Sequence, residues 1–409
     1  MPSFEINENR LLDALQTLAQ IGRTQDGSTC RLAFTEADFN GRAQVIAWME
    51  EAELTVRTDA LGNTVGTRAG RDPDLPAVMT GSHIDTVRTG GPFDGSLGVL
   101  AGLEIIRTLN DRGIETRRPI EVGFFSNEEG SRFAPDMMGS LVYVGDFSVE
   151  TARAMTDAKG VSVGDAIDTL NFSGSAPIPG PIPHAFLELH IEQGPVLDNA
   201  EMDIGVVTSV QGIRWQKLTL SGVSNHAGTT PMSQRQDAAY AAASIATLVR
   251  DLVLEIGAPM VGTVGHMRLS PSLVNVVANQ VEMTVDLRHV DDDLLTHTET
   301  RFNELAASIC QREGVALEIE RMATFAPFHF EPALVEQVRS AAISRGLAHA
   351  DLVSGAGHDA QIHGRRAPAA MIFVPSVDGI SHNPKEHTEA KHLVAGTNLL
   401  LDLILDLAS

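Results

Sequence analysis

Between residues 77 and 130 the chain reads AVMTGSHIDT, then GSLGVLAGLEIIRTLNDRG, then IEVGFFSNEEG. The outer segments are apolar runs of strand length that end in polar loops, and the middle one repeats its apolar residues at helical spacing until about Gly113. Strand, helix, strand in that order predicts a parallel pair, because a parallel connection needs a crossover. Both loops that follow the strands then lie at one sheet edge. Such carboxyl edges are where open α/β sheets place their sites.

Helix and strand patterns alternate along most of the remaining length, which predicts an α/β class with a mixed sheet. Leu11, Leu12, Leu15 and Leu18 share one face of a helix over 5–21, and a second helix is expected from Glu36 to Glu53 with Thr35 as its N-cap. A hairpin turn is expected at Leu61-Gly62-Asn63. From about Gly212 to Phe325 the texture changes: KLTLSG and VEMTVDLRHV alternate with period two, as half-buried antiparallel strands do, with helical stretches near 234–256 and 291–313. At 409 residues the chain is too long for one typical core. The expected organisation is a larger domain of 1–211 plus 326–409, with a smaller α+β domain of 212–325 inserted into it. The stretch FSGSAPIPGPIPHA (172–185) is a tether before a strand.

Charge narrows the partners. With 30 Lys and Arg against 53 Asp and Glu the net charge is −23, which repels phosphate backbones and anionic membranes. Nucleic acid and membrane are therefore not expected as partners. Two cysteines, Cys30 and Cys310, form no metal-type pair and no disulfide framework. With no secretory signal in MPSFEINENR and no apolar run of spanning length, the expectation is a soluble cytoplasmic protein.

The chemistry-bearing residues gather at the ends of the expected strands. GSHIDTVRTGGPFDG offers His83 and Asp85, two apart and on one side of an extended backbone, and Asp94 in a glycine-rich loop. SNEEG offers Glu128 and Glu129, whose side chains diverge, so that one can bind metal while the other reaches the attacking water. LELHIEQG adds His190 among acids, and DGISHNP adds His382. Taken singly, each reads as well as a solvated loop charge or a core histidine. Together, three histidines and several carboxylates at strand ends suit zinc, manganese, cobalt or nickel better than calcium. His358 and Asp359 in SGAGHDA read as hydrogen-bonded, loop-shaping groups, and His363, His387 and His392 as surface or helix polar groups.

Six ordered motifs, GSHIDTV…GGPFDGSLGVL, NEEGSRF, ELHIEQGPVL, NHAGTTPM, SGAGHDA and PSVDGISHNP, resemble the hydantoinase/carbamoylase branch of the M20-type amidohydrolases over residues 28 to 405. That family includes N-carbamoyl-L-amino acid hydrolases, β-ureidopropionases and allantoate amidohydrolases. The resemblance implies a dinuclear-metal hydrolase domain and a smaller lid and dimerisation domain, usually in a homodimer. It implies two divalent metal ions per subunit, with His83 and His190 each holding one, Asp94 bridging, and Glu129 and His382 completing the ligands. Glu128 would be the general base. His226 would polarise the scissile carbonyl, often from the partner subunit. Asn275 and Arg288 would bind a substrate carboxylate, as a guanidinium does in bidentate fashion. Gln193, Gln216 and the backbone at Gly357 are further substrate-contact candidates. Ala278 stands where the family often has proline, which bears on the strand entry near the carboxylate site and on no ligand position.

The expected reaction is hydrolysis of the carbamoyl amide of an N-carbamoyl-L-amino acid or related ureido acid, releasing ammonia and carbon dioxide. Allantoate is the rival substrate. A dipeptidase or aminoacylase shares the ligands but not the HIEQG and HAGTTPM wording. A non-catalytic binding protein on this fold would be expected to lose Glu128 or a ligand, and all are present.

Overall fold

The computed structural model describes residues 4–409. Contacts divide the chain into two units. The first is formed by residues up to Thr208 with Phe330–Leu352 and Gly357–Ser409, and the second by Ser209–His329 with Val353–Ala356. In chain order the strands are β1 (Thr55–Thr58), β2 (Thr64–Arg68), β3 (Val78–His83), β4 (Ile120–Phe125), β5 (Ala185–Ile191), β6 (Ile204–Val210), β7 (Gly212–Ser221), β8 (Val261–Ser270), β9 (Gln280–His289), β10 (Ala316–Phe325), β11 (Phe328–His329), β12 (His349–Ser354) and β13 (Ala369–Val374).

The first unit is built on a mixed sheet in the order β1-β2-β4-β3-β5-β13-β6, with β12 paired to β6. Its four central strands, β4, β3, β5 and β13, run parallel to one another. Every residue of these four is buried, which explains why they read as continuous apolar runs rather than as alternation. The expected crossover is α1 (Ser96–Asp111), linking β3 to β4 and buried along nearly its whole length. β1 and β2 form the expected hairpin, with Thr58 opposite Thr64.

The helix over Glu8–Gln20 is capped by the Asn7 side chain on Arg10 N–H and buries Leu11, Leu15 and Leu18. Thr35 caps the helix Glu36–Glu51 through Asp38 N–H. That helix also holds an ion pair between Arg42 and Asp38, 3.0 Å apart and with both side chains out of solvent. Leu12 lies half-buried, so the apolar stripe is narrower than the leucine spacing suggests.

The second unit is a four-stranded antiparallel sheet, β10-β7-β9-β8, with the helices Ala238–Ile256 and Asp292–Glu313. Its core is made by one face of the alternating strands: Leu218 and Leu220 from β7, and Val281, Met283, Val285 and Leu287 from β9. These pack with Ile245 and Phe302 of the helices. From Val281 to His289, β9 alternates between buried and half-buried positions, as a sheet covered on one face must. Among the described residues no helix is long and apolar enough to cross a membrane.

Candidate functional site

Four strand ends supply the side chains that meet in the first unit. His83 is the last residue of β3, and Glu128 and Glu129 follow β4. His190 is the penultimate residue of β5, and His382 lies beyond β13. Asp94 sits in the loop between β3 and α1. The turn after it requires glycine: Gly95 has φ +65°, and a Cβ there would overlap the His83 ring. The Gly95 N–H also lies 3.2 Å from His190 Nε2, so this loop is seated against both imidazoles.

Asp94 is the centre of the arrangement. Its Oδ1 is 3.6 Å from His83 Nε2 and 3.2 Å from His190 Nε2, and its Oδ2 is 3.2 Å from His382 Nε2. Glu129 Oε2 lies 3.4 Å from the same His382 nitrogen, and Glu128 Oε2 lies 3.3 Å from His83 Nε2. Two donor groups therefore share one carboxylate: His83, Asp94 and His190 on one side, and Asp94, Glu129 and His382 on the other. His83 and His190, expected to hold one metal each, stand together in one of these donor groups. β3 and β5 are adjacent parallel strands, so their terminal imidazoles project to the same side of Asp94.

The imidazoles are oriented for ligation. His83 Nδ1 is 2.9 Å from the Asp85 carbonyl, and His190 Nδ1 is 2.9 Å from the Ile191 carbonyl. With Nδ1 bonded to a carbonyl, Nε2 is the nitrogen that faces Asp94, and it is the one free to bind a metal once its own proton is displaced.

The electrostatics point the same way. Burial disfavours a charged His83, yet Glu128, Asp94 and Asp85 outweigh it and lift its pKa well above the ordinary value. Burial pushes Asp94 upward, but hydrogen bonds from His190, His382 and His83 hold it well below the usual carboxylate range. Glu129 is pushed up to about 8 by burial and by Asp94. Burial, with Asp359 and Glu129 nearby, raises Glu128 well above its usual value. The hydrogen bond to Asp94 lifts His382 to about 9 against its partial burial. Buried carboxylates in this number need positive charge. A nitrogen and oxygen donor set that otherwise retains protons is one a divalent cation fits, displacing those protons on binding.

Several nearby groups carry roles that their sequence context hid. The Asp85 carboxylate does not reach His83. It accepts from the backbone N–H groups of Glu128 and Glu129, at 3.2 and 3.4 Å, and so ties the end of β4 to the loop after β3. Glu188, two residues before His190, is fully buried and accepts from Ser82 Oγ at 2.6 Å and Ala360 N–H at 2.7 Å. His358 packs edge-on to the His190 ring with centroids 4.6 Å apart. Glu188, His190 and His358 form a third group of donor atoms close enough to hold an ion. Asp359 is bonded to Ser140 Oγ, which fits its expected loop-shaping part.

His363 is a correction. It is not a surface group but stacks on Phe186, with centroids 4.1 Å apart, beside Phe125 and Tyr143. The short helix Asp359–His363 turns it inward, and burial lowers its pKa to about 3. His387 is exposed, and His392 pairs with Asp203 at 3.4 Å.

The substrate-contact candidates fall in different places. Gln193 belongs to the first unit and donates from Nε2 to Asp94 Oδ2 at 2.9 Å. Gly357 is also there, with Met137 against its Cα. His226, Asn275, Arg288 and Gln216 all belong to the second unit. His226 and Asn275 are exposed, and an isolated bridge between His226 and Val276 brings their backbones together. Arg288 extends from β9 with Nη2 2.8 Å from Asp286 and Nη1 2.6 Å from the Gly355 carbonyl, and its guanidinium lies 5.9 Å from the Trp215 ring centre. Gln216 is turned inward, 3% exposed, with Nε2 bonded to Glu299 at 2.8 Å. Alternation along β7 puts it on the helix-covered face, so it presents no surface to a ligand within its unit.

Residues 79–406 match the model of peptidase family M20/M25/M40. An N-carbamoyl-L-amino-acid amidohydrolase of Rhizobium meliloti is 43% identical over 403 residues, covering 98% of this chain and 97% of that protein. The chain belongs to the M20/M25/M40 family. Within the family, an allantoate amidohydrolase of Bacillus subtilis is 35% identical, with 98% of each chain covered. A hydantoinase/carbamoylase family amidase of Burkholderia multivorans superposes with a TM-score of 0.96 at 44% identity, over 100% of this chain and 99% of the other. The resemblance carried by the six motifs thus extends to the whole fold of an M20-family chain.

Proposed function

We propose that this protein is a metal-dependent amidohydrolase that removes the carbamoyl group of an N-carbamoyl-L-amino acid. One water is consumed, and the amino acid, ammonia and carbon dioxide are released. The observation that carries the reading is Asp94 standing between two histidine- and carboxylate-bearing donor groups. The end-to-end similarity to carbamoyl amino acid amidohydrolases supports the substrate class.

In this reading His83, Asp94 and His190 hold one divalent ion, and Asp94, Glu129 and His382 the other. Zinc or manganese suits these donors, and cobalt or nickel would also fit. Bound there, such ions supply Lewis acidity toward the carbonyl oxygen and toward water. Glu128, buried and in neither donor group though 3.3 Å from His83 Nε2, takes the proton of the attacking water and returns it to the departing nitrogen. His226 donates to the developing oxyanion, from the partner subunit of a homodimer in this reading. Arg288, with Asn275, binds the carboxylate. Asp286 takes Nε and Nη2 and the Gly355 carbonyl takes Nη1, so a substrate carboxylate would use the remaining N–H hydrogens of Nη1 and Nη2, with the guanidinium 5.9 Å from the Trp215 ring centre. The second unit serves as lid and dimerisation domain, and the enzyme works in the cytoplasm.

Allantoate is the second reading, supported by the Bacillus subtilis and Escherichia coli allantoate amidohydrolases at 35% and 36% identity. Apo protein reloaded separately with zinc, manganese, cobalt and nickel, then assayed for ammonia release from N-carbamoyl-L-amino acids, N-carbamoyl-β-alanine and allantoate, tests both. A preference for carbamoyl-L-amino acids is expected. Preference for allantoate would replace the first reading with the second, and release from none would sink the class.

A further inference from the structure

We propose that Glu386 is a positioning residue for the metal centre: it clamps the loop that carries Asp94 to the loop that carries His382, so that the shared carboxylate and the last ligand are set as one unit. This rests on the reading of Asp94 and His382 as ligands.

Glu386 is 4% exposed and belongs to none of the donor groups found among the described residues. It acts instead through the backbone. Oε1 accepts the N–H of Phe93 at 2.9 Å and of Asp94 at 3.2 Å. Two successive N–H groups on one carboxylate oxygen fix the peptide plane that enters Asp94, and with it the direction of the Asp94 side chain. Oε2 accepts from Ser381 Oγ at 3.0 Å, the residue before His382. The same hydroxyl lies 3.3 Å from Asp94 Oδ2, so one proton serves two carboxylates. His382 itself has φ +54°, a conformation that a free loop would not favour and that neighbouring contacts must hold.

The opposite loop is shaped to receive Glu386. At Gly91 a Cβ would overlap the Cβ and Cδ of Glu386, so the bare backbone lies against that side chain. Three observations on separate residues converge: paired N–H donors, a shared serine hydroxyl, and a glycine backbone lying against this side chain. Partners that orient metal ligands without touching the ion typically change metal affinity about 10- to 100-fold when removed.

The test compares metal retention by holoenzyme in chelator competition for wild type, E386Q, G91A, S381A and D94N, with thermal melting to confirm folding. E386Q keeps the shape but replaces one accepting oxygen with a donor. G91A keeps the carboxylate but displaces it. Both should fold, release metal at about 10- to 100-fold lower chelator, lose kcat, keep KM near wild type, and recover activity in excess metal. S381A should show the same change at smaller size. The E386Q/G91A double variant should lose no more than the worse single one, since both disturb the same clamp. Wild-type metal retention in folded E386Q and G91A, with D94N weakened, overturns the inference alone. Wild-type retention in D94N overturns the ligand reading beneath it. Should E386Q fail to fold, G91A and S381A decide: wild-type retention in both overturns the clamp.

Discussion

In the first unit, His83, Asp94 and His190 are 2%, 3% and 1% exposed, and a backbone carbonyl commits the second nitrogen of each ring. In the second unit, His226 and Asn275 are exposed on loops, and Arg288 is held by one carboxylate and one carbonyl. The first group is finished before any ligand arrives. The second offers separate handles on different elements. In the proposed reading, the reactive geometry is anchored on four buried parallel strands, while recognition falls to loops and a half-covered sheet.

Removing the metals should show the contrast most strongly. Chelation is expected to abolish turnover. Hydrogen exchange should quicken at the ends of β3 and β5 and leave β7 and β9 unchanged, with zinc or manganese restoring both. Equal loosening of the two sheets would break the comparison. Glu128→Gln comes next: kcat should fall by roughly 10²- to 10⁴-fold, as expected on losing a general base, with metal content and melting temperature unchanged. Turnover near wild type would exclude the proposed base. Arg288→Lys sharpens the other side. Losing the planar fork should cost about 10- to 100-fold in kcat/KM, mostly as KM, without moving metal affinity. A fall confined to kcat would mean that Arg288 does not merely bind.

The smallest expected effect concerns His363. Its folded pKa of about 3 lies below the ordinary value, so the folded state binds fewer protons than the unfolded one. The stability this neutral ring allows is complete above about pH 6.5 and is lost as the pH falls from there toward 3. His363→Phe removes that dependence and also the unpartnered Nε2. At pH 5 the variant should exceed wild type by on the order of 1–2 kcal/mol more than it does at pH 8, measured by urea unfolding. An identical gap at both pH values would show that the ring is protonated where it stands.

Much of this was legible in the residues. The strand-helix-strand order around 77–130 by itself places His83, Asp94, Glu128 and Glu129 at one sheet edge. Hydrophobic periodicity carries that information because the four central strands are buried on both faces. What stayed hidden depends on contacts between distant segments. That His83 and His190 stand on one side of Asp94 follows from β3 and β5 being neighbours, which no local pattern reveals. Asp85 looked like a partner for His83 by spacing, yet its carboxylate serves two backbone N–H groups. Gln216 looked like a ligand contact, and only the register of β7 shows it facing Glu299. His363 sits in QIHGRR, whose charges read as surface, while one turn of helix carries it under Phe186. Glu386 sits in a polar loop and gave no sign of its reach to residues 93 and 94.

One feature of the sheet bears on how such a chain is made. β13 fills the slot between β5 and β6, which are consecutive in sequence, and it arrives more than 150 residues after them. As the chain leaves the ribosome, β5 and β6 must keep that gap open, each with an unpaired edge, while the whole second unit is synthesised. Only when Ala369–Val374 emerges can the sheet close, and His382 follows eight residues behind it. If the proposed centre binds metal, its loading would report that synthesis has passed the last strand. A ribosome-stalled chain ending before residue 369 should bind chaperones and hold no paired ions.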